Sequence, residues 1–395
     1  MNFLQQNNSS FLLVPNQRVL KRDSPFYDQI MRKMSQLWGV GNNPLKFNPC
    51  ANPISLERHH LVDLVHKDYV VAEKSDGVRY ALALLELQQF NGAPFYMGVM
   101  VNRNLDVFEV RVTAPLYDFQ KGCIFDGELV WDETNTPLGQ RHAFYVFDTI
   151  AYQGQCVRHL PFWDRYRIIR KKFIESTHFE SKLLTSDSSV INDRITTQGS
   201  AHRLTFCCKT FYMMNQFDIA SKRTILHSSD GFIFIPMSEG MPTNRASNWF
   251  KWKKTHNIDV IGCATWITDG WRVCMLYLDG EILHDASRIE TSTLRHPKDN
   301  GIICLRLIDG NSALGAPIPN INELRNVWEL SCHKIERTDE CWIAECRLHA
   351  VRWDKPTPNN ALTIERSLAS ASDPVRLEEL LAVGVDSSRI PSGQF

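Results

Sequence analysis

The segment Glu73-Lys74-Ser75-Asp76-Gly77-Val78-Arg79-Tyr80 lies between two apolar runs, residues 69–72 and 81–85. Short apolar runs on either side of a Ser-Asp-Gly turn predict two consecutive strands. Lys74 then ends the first strand, and Arg79 lies near the start of the second. Read alone, the segment also fits an ordinary hairpin, because Asp-Gly is a common turn pair.

Lys74 could act as a covalent nucleophile. A lysine is nucleophilic only when neutral, and at an unperturbed pKa of about 10.4 very little of it is neutral at pH 7. Neighbouring cations and partial burial lower the pKa of a lysine. Arg79, a bound metal ion and further lysines could supply that field, so the segment is a candidate for a reactive lysine.

Five further segments place charged or aromatic residues in or beside apolar strands. Each of them alone fits a turn, a capped strand or a solvated edge. Together with Lys74 they supply carboxylates for a divalent metal, an aromatic platform for a base and cations for phosphates, which chemistry on a nucleoside triphosphate requires. The segments are 125–130 (FDGELV), 144–148 (FYVFD), 229–234 (SDGFIF), 250–253 (FKWK) and 351–359 (VRWDKPTPN).

The composition is that of an ordinary globular protein, with 43% hydrophobic and 22% charged residues among 395. The 44 basic and 44 acidic side chains balance, which argues against binding to nucleic acid through bulk positive charge. No apolar run approaches the roughly 18 residues of a membrane span, and the N-terminus does not resemble a signal peptide. The 11 cysteines are scattered, so we expect reduced thiols in an intracellular compartment. Cys332, Cys341, Cys346 and His349 match no common zinc spacing, and buried thiols are the favoured interpretation.

The pattern along the chain predicts two folded regions. Residues 1–20 are expected to be loose, and residues 26–38 and 162–184 show helical spacing. Strand-like runs dominate residues 69–150 and again residues 255–352, and roughly one hundred residues of short strands suggest a small appended barrel or sandwich. Residues 186–200 are predicted as a loop, residues 363–383 as a terminal helix and residues 387–395 as a frayed tail.

The ordered set of motifs resembles the covalent nucleotidyltransferase superfamily, which comprises ATP-dependent DNA ligases, RNA ligases and mRNA capping guanylyltransferases. All six motifs of that superfamily occur, between residues 74 and 359. The resemblance implies an α+β protein with an antiparallel-sheet nucleotidyltransferase domain followed by an OB-fold β-barrel. The expected boundaries are 1–254 for the first domain, 255–362 for the OB-fold and 363–395 for a C-terminal helix that packs back on the first domain.

Three features resemble the capping branch. Lys251-Trp252-Lys253 is followed by Asn257-Ile258-Asp259-Val260, although the gap is shorter than is usual there. Arg352-x-Asp354-Lys355 continues to Pro358-Asn359, and Thr363-Ile364-Glu365 opens the terminal helix. The resemblance therefore implies an mRNA guanylyltransferase that forms lysyl-GMP from GTP and transfers GMP to the 5′-diphosphate end of RNA.

The resemblance also implies a role for each matched residue. Lys74 would attack the α-phosphorus of GTP and release pyrophosphate. Asp230, with Glu128, would bind the divalent metal ion, Mg²⁺ or Mn²⁺, and Asp76 would shape the turn. The residues implied as nucleotide-binding are Arg79, Arg103, Glu128, Phe147, Lys251, Lys253, Asp259, Arg352, Asp354 and Lys355.

Within that set the implied contacts differ. Arg79 and Glu128 would contact the ribose, and Phe147 would stack on guanine. Lys251 and Lys253 would hold the α-phosphate, and Asp259 would lie near the active site at the domain junction. The motif 352–355 would grip the β- and γ-phosphates.

Two alternatives remain open at this point. The chain could be an ATP-dependent polynucleotide ligase of the same superfamily, or a catalytically silent module that binds RNA or a polymerase. Covalent labelling by ATP rather than GTP would indicate the ligase, and labelling by neither would indicate the silent module. In the capping interpretation the expected partners are a separate RNA triphosphatase, a cap methyltransferase and RNA polymerase. No association with a membrane is expected. The expected location is the nucleus for a cellular protein, or the site of viral transcription for a viral one.

Overall fold

The computed structural model describes residues 19–112, 114–132, 141–174, 181–183, 203–267, 270–279, 282–288, 302–308, 327–337, 341–352, 359 and 361–387. The predicted loose N-terminus up to residue 18, the predicted loop 186–200 and the predicted tail from residue 388 lie outside these residues, as do Asp354 and Lys355. The chain forms two compact units. Of the described residues, the first unit contains those within 1–54, 62–251 and 380–395. The second unit contains those within 55–61 and 252–379.

The elements are defined here by their residues. The α-helices of the described residues are α1 Pro25–Trp38, α2 Leu61–His66, α3 Leu116–Lys121, α4 Phe162–Ile169, α5 Phe217–Lys222, α6 Ala361–Ser372 and α7 Leu377–Ser387. The strands of the first half are β1 Val19–Leu20, β2 Asn52–Ser55, β3 Tyr69–Ser75, β4 Val78–Gln88, β5 Pro94–Val101, β6 Val107–Val112, β7 Cys123–Asp132, β8 Arg141–Tyr152, β9 Gln155–Cys156 and β10 Ser181–Leu183. The strands that follow are β11 Arg203–Cys208, β12 Tyr212–Met213, β13 Ser229–Pro236, β14 Arg245–Lys253, β15 Asn257–Ile267, β16 Gly270–Asp279, β17 Ile282–Arg288, β18 Ile302–Ile308, β19 Val327–Arg337 and β20 Cys341–Arg352.

The larger sheet of the first unit has nine strands, in the order β1-β6-β10-β11-β8-β7-β4-β5, with β9 paired to β8. Because β5 also pairs with β6, the sheet closes on itself. Its pairs are antiparallel, as expected, except for β8 with β11, which run parallel. A parallel pair requires a long crossover, and the chain between these strands includes α4.

The smaller sheet of the first unit carries the predicted reactive segment. Its order is β12-β3-β13-β14-β2. Strand β3 lies inside it, antiparallel to both β12 and β13. Residues 69–72 at the start of β3 are fully buried, so the strand that carries Lys74 is anchored in the core.

Helix α1 confirms the helical spacing seen in the sequence. Ile30, Met31, Met34 and Trp38 are buried on one face, which contacts β4, β7 and β8. Gly39 ends the helix with a φ of +70°, and its N–H donates to the carbonyl of Gln36 at 3.0 Å. Glycine adopts this left-handed conformation without the Cβ strain that other residues incur.

Two helix predictions were wrong in extent. In place of the helix expected over 162–184, the α-helix ends at Ile169 and a π-helical turn follows it to Ile174. Residues 181–183 form β10. Strand β10 fills the gap between β6 and β11, and this sheet pairing outweighs the helical propensity of the segment. The terminal helix expected over 363–383 is divided into α6 and α7 at Asp373-Pro374, because proline lacks the N–H of a helical bond and disfavours helix in the residue before it.

The second unit is built around an antiparallel sheet of six strands, in the order β17-β16-β15-β19-β20-β18. Helix α6 packs against β15, β16 and β19, and the indole N–H of Trp252 donates to the carbonyl of Val375 at 2.7 Å. The structure is therefore a mixed α+β protein in which antiparallel sheets predominate. Within the part of the chain that the structure describes, no helix is long and apolar enough to cross a membrane.

Candidate active site

Lys74 lies near the end of β3, where the core strand reaches solvent. Its Nζ is 2.7 Å from Oδ1 of Asp230, and both side chains remain about a quarter exposed, at 22% and 27%. The amine lies at the solvent-exposed end of a buried strand and is oriented by a carboxylate. A ligand can therefore reach it, although its position is fixed. The structure thus brings together the predicted nucleophile and a predicted metal ligand.

A β-bulge brings Asp230 next to Lys74. In the pairing of β13 with β3, Ser229 lies opposite Ser75 and Gly231 lies opposite Lys74, so Asp230 is the extra residue. Bulges of this kind redirect a side chain and are common beside active sites. The short distance from Asp230 to Lys74 follows from this irregularity.

The turn after Lys74 depends on a glycine. A Cβ at Gly77 would lie 2.2 Å from the carbonyl oxygen of Leu129, so no other residue fits without moving β7. The N–H of Asp76 donates to the carbonyl of Ser228 at 2.9 Å, which ties the turn to the segment before β13.

Arg79 is held by a buried carboxylate. Its Nε donates to Oδ1 of Asp126 at 2.9 Å, its Nη2 donates to Oδ2 of the same carboxylate, and Nη1 donates to the carbonyl of Ala51 at 2.8 Å. Asp126 is fully buried. In the pairing of β4 with β7, Arg79 lies directly opposite Glu128. The family resemblance implies a ribose contact for Arg79, but the sequence did not indicate that Asp126 holds its guanidinium.

Phe147 occupies a second bulge. Asp126 pairs with Asp148 and Gly127 pairs with Val146, which leaves Phe147 as the extra residue of β8. Its ring is only partly buried, and the guanidinium carbon of Arg79 lies 5.4 Å from the ring centre. A side chain packed only in the core would be fully covered, whereas Phe147 is partly exposed beside a fixed cation.

Glu128 lies partly buried among positive charges. Burial raises the pKa of its carboxyl group, and the charges of Lys209, Lys74 and Arg79 lower it by less, so the net shift is upward. The carboxylate is therefore less favourable in the folded protein than in the unfolded chain. Its three cationic neighbours mark the position where an anionic or polar ligand would be drawn in.

The raised pKa of Glu128 predicts how its replacement changes stability with pH. A carboxyl group whose pKa is higher when folded contributes stability at low pH, and that contribution is lost as pH rises through the unfolded and then the folded pKa. Glu128→Gln mimics the protonated form, so at pH 7 its unfolding midpoint should exceed that of the wild type. The difference should shrink towards pH 4. Thermal unfolding across this range checks it, and a lower midpoint for the variant at pH 7 would contradict it.

A buried polar cluster beneath β3 was not predicted from the sequence. It comprises Glu73, Ser75, Lys209 and His227, all buried. Nζ of Lys209 donates to Oγ of Ser75 at 2.7 Å and lies 3.7 Å from Oε1 of Glu73. Burial lowers the pKa of Lys209, although the charges of Glu73 and Glu128 act in the opposite direction. The available sequence signals were a lysine directly after the apolar run 204–208 and a histidine three residues before Asp230.

The remaining predicted residues are distributed over both units. Arg103 is exposed in the turn between β5 and β6, and Lys251 is partly buried on β14 in the first unit. Lys253 and Asp259 belong to the second unit, where Arg352 ends β20.

Within the second unit two motif residues meet. The N–H of Asp259 donates to Oδ1 of Asn359 at 2.7 Å, and the N–H of Asn359 donates to the carbonyl of Asp259 at 2.8 Å. This reciprocal pair fixes the end of the 351–359 motif to the start of β15. The two capping-like segments that are far apart in sequence are therefore joined at Asp259.

Comparison with known proteins identifies relatives of this site-bearing region. The sequence model of a family described as "mRNA capping enzyme, catalytic domain" matches residues 16–255. An "mRNA-capping enzyme" of Caenorhabditis elegans is 25% identical over 305 residues, covering 70% of this chain and 44% of that protein. An "mRNA-capping enzyme subunit alpha" of Neurospora crassa is 33% identical over 120 residues, covering 28% and 29%. One of the same description from Yarrowia lipolytica is 24% identical over 349 residues, covering 84% and 81%. The chain spans less than half the length of the first two relatives.

Proposed function

The chain belongs to the mRNA capping enzyme catalytic-domain family, and from this premise we propose that it is an mRNA guanylyltransferase. It forms a covalent lysyl-GMP intermediate from GTP and transfers GMP to the 5′-diphosphate end of RNA, which gives a GpppN cap. The observation that carries the proposal is the position of the Lys74 amine at the exposed end of a buried strand. Its Nζ donates a hydrogen bond to Oδ1 of Asp230 at 2.7 Å.

The first step is an attack of Lys74 on GTP. Neutral Nζ bonds to the α-phosphorus and loses a proton, the bond from that phosphorus to the bridging oxygen breaks, and pyrophosphate leaves. Asp230 orients Nζ. The fixed guanidinium of Arg79 and the partly exposed ring of Phe147 support binding of a nucleoside, with the ring stacked on guanine and the cation beside the ribose.

The carboxylates of the site fit a divalent metal that is bound partly by its substrate. Among the described residues no group of three or more His, Cys, Asp or Glu side chains could hold a metal ion alone. Mg²⁺ is typically held by one or two carboxylates together with waters and substrate phosphates, and Asp230 and Glu128 provide that number. Mn²⁺ takes the same oxygen ligands. When bound, the ion offsets the phosphoryl charge that develops during transfer.

The second unit supplies the phosphate-binding motif. Arg352, Asp354 and Lys355 are the residues proposed to bind the β- and γ-phosphates of GTP in the first step. An OB-fold for this unit is supported by its antiparallel six-stranded sheet, in which the outer strands β17 and β18 also contact each other.

The second step determines the partners. A diphosphate oxygen at the RNA 5′ end attacks the α-phosphorus of the lysyl-GMP, and the phosphorus–nitrogen bond breaks. Production of that RNA end requires a triphosphatase, and a methyltransferase acts on the cap that results. We propose that an RNA triphosphatase and a cap methyltransferase supply these activities and that RNA polymerase delivers the transcript. The site of action is then the nucleus, or the site of viral transcription.

Nucleotide-dependent labelling tests the proposal. Pure protein incubated with α-labelled GTP and Mg²⁺, without RNA, should give a labelled band on a denaturing gel, and added pyrophosphate should remove it. The same incubation with α-labelled ATP should give none. A band from ATP alone would assign the chain to the ligase branch. No band from either nucleotide, in folded protein with Mg²⁺ or Mn²⁺, would contradict the proposal and favour a silent binding module.

A further inference from the structure

The buried cluster beneath β3 has no role in the mechanism described so far. Glu73 and Ser75 flank Lys74 in the sequence of β3, and both are buried against Lys209 and His227. Burying charged and polar side chains costs free energy unless they are well paired, and an apolar core of equal volume is often as stable. Because this free-energy cost is incurred directly beneath the proposed nucleophile, we expect a functional reason for the buried cluster.

The cluster is linked in a definite order. Nε2 of His227 is 2.9 Å from Oγ of Ser75, and the same hydroxyl oxygen accepts a hydrogen bond from Nζ of Lys209 at 2.7 Å. The His227 ring packs against Tyr145 with a centroid distance of 4.6 Å, which limits its orientation. Ser75 has one hydroxyl proton to donate, and with Lys209 donating to its oxygen that proton is available for Nε2 of a neutral His227.

Lys209 is electrostatically part of the nucleotide site. Its charge interacts with those of Glu73, Glu128 and Lys74. Glu73 is too far from Lys209 for a short hydrogen bond, at 3.7 Å. The Ser75 hydroxyl is thus the short contact that the described residues show for the Lys209 head group, and the same hydroxyl lies within hydrogen-bond distance of His227.

We propose that His227 is a positioning residue, which acts through the Ser75 hydroxyl to hold the Lys209 ammonium group against the strand that carries Lys74. Loss of His227 frees the Ser75 hydroxyl to rotate, and the Lys209 charge then moves relative to Glu128 and Lys74. The inference rests on the proposed function, because only that reaction uses Lys74 as the labelled residue.

Chemical acetylation without nucleotide tests the link itself. Protein is treated briefly with acetic anhydride, and the modified fraction of Lys209 is measured by mass spectrometry. His227→Leu should raise the acetylation rate of Lys209 about tenfold, because the loss of a hydrogen bond to a charged group has an effect of this order. His227→Gln, which keeps a polar group within reach, should raise it less. His142→Leu, at another buried histidine beside Trp131, is the matched control and should leave it unchanged.

The rate of covalent labelling tests the consequence. At saturating GTP, His227→Leu should lower the labelling rate constant about 10- to 100-fold, the loss expected from a small misplacement of a site group. A purely structural role would instead lower the unfolding midpoint and leave the rate of the folded fraction unchanged. In a double-mutant cycle, His227→Leu combined with Ser75→Ala should lose no more rate than the larger single effect.

Unchanged acetylation of Lys209 in His227→Leu would overturn the proposal, as would rate losses that simply add in the double variant. If the wild type took no label from GTP while the acetylation results held, the proposed function would be wrong and the His227–Ser75–Lys209 link would stand.

Discussion

Replacing Lys74 by alanine is expected to abolish covalent labelling from GTP while the protein stays folded. Alanine has no amine with which to form the phosphoramidate bond. Lys74→Arg should be equally inactive, because it retains a cation for Asp230 but a guanidinium stays protonated and is not a nucleophile. The side chain is partly exposed, so its removal leaves no large cavity in the core. Labelling intensity on a denaturing gel, with a thermal unfolding scan of the same preparation, measures both properties.

Lys67 offers a matched control for this experiment. Its Nζ is 2.9 Å from Oδ1 of Asp63, and its side chain is about half exposed, so it is also a lysine paired with an aspartate. Lys67→Ala should label like the wild type. Retained labelling in folded Lys74→Ala would refute Lys74 as the nucleophile, and equal losses in both lysine variants would show that the effect is not specific to the site.

Replacing Arg165 by methionine is expected to lower the free energy of unfolding by about 3–5 kcal/mol, since it leaves a buried carboxylate without its partner. Arg165 and Asp148 are both fully buried, and Nε and Nη2 donate to the two carboxylate oxygens at 2.8 and 3.0 Å. Burial raises the pKa of Asp148, and the charge and hydrogen bonds of Arg165 oppose that shift. Because Asp148 directly follows Phe147, this ion pair also anchors the bulge that exposes the aromatic ring.

Arg167 provides the control on the same helix. It pairs with Asp164 at 3.2 Å, but both side chains are largely exposed, at 68% and 46%. Arg167→Met should therefore change the unfolding free energy by no more than about 1 kcal/mol. Urea unfolding of the two variants measures the difference. Similar losses in both variants would contradict the assignment of Arg165 as the buried anchor.

The sequence was sufficient to predict the elements around Lys74, because their signals are local. Apolar runs predicted β3, β4 and β7, and helical spacing predicted α1. The resemblance of the ordered motifs to the covalent nucleotidyltransferase superfamily implied which residues lie near Lys74. Asp230 contacts it, and Arg79, Phe147 and Glu128 form the adjoining side of the site.

The features that the sequence did not reveal depend on pairing between distant strands. The bulges at Asp230 and Phe147 follow from the register of two strands, and strand runs alone do not specify register. Lys209 follows β11, a strand that was not predicted, and its place in the cluster depends on contact with Ser75, 134 positions away. The early end of the helix after Ile169 has the same origin, because residues 181–183 pair with strands on either side.

Locating the covalent adduct tests the central claim most directly. Protein labelled with GTP and Mg²⁺ is digested under conditions that preserve a phosphoramidate, and the modified peptide is sequenced by tandem mass spectrometry. The account predicts GMP on Nζ of Lys74 and on no other residue. A GMP adduct on Lys209, Lys251 or Lys253 instead, or an AMP adduct on Lys74, would contradict it.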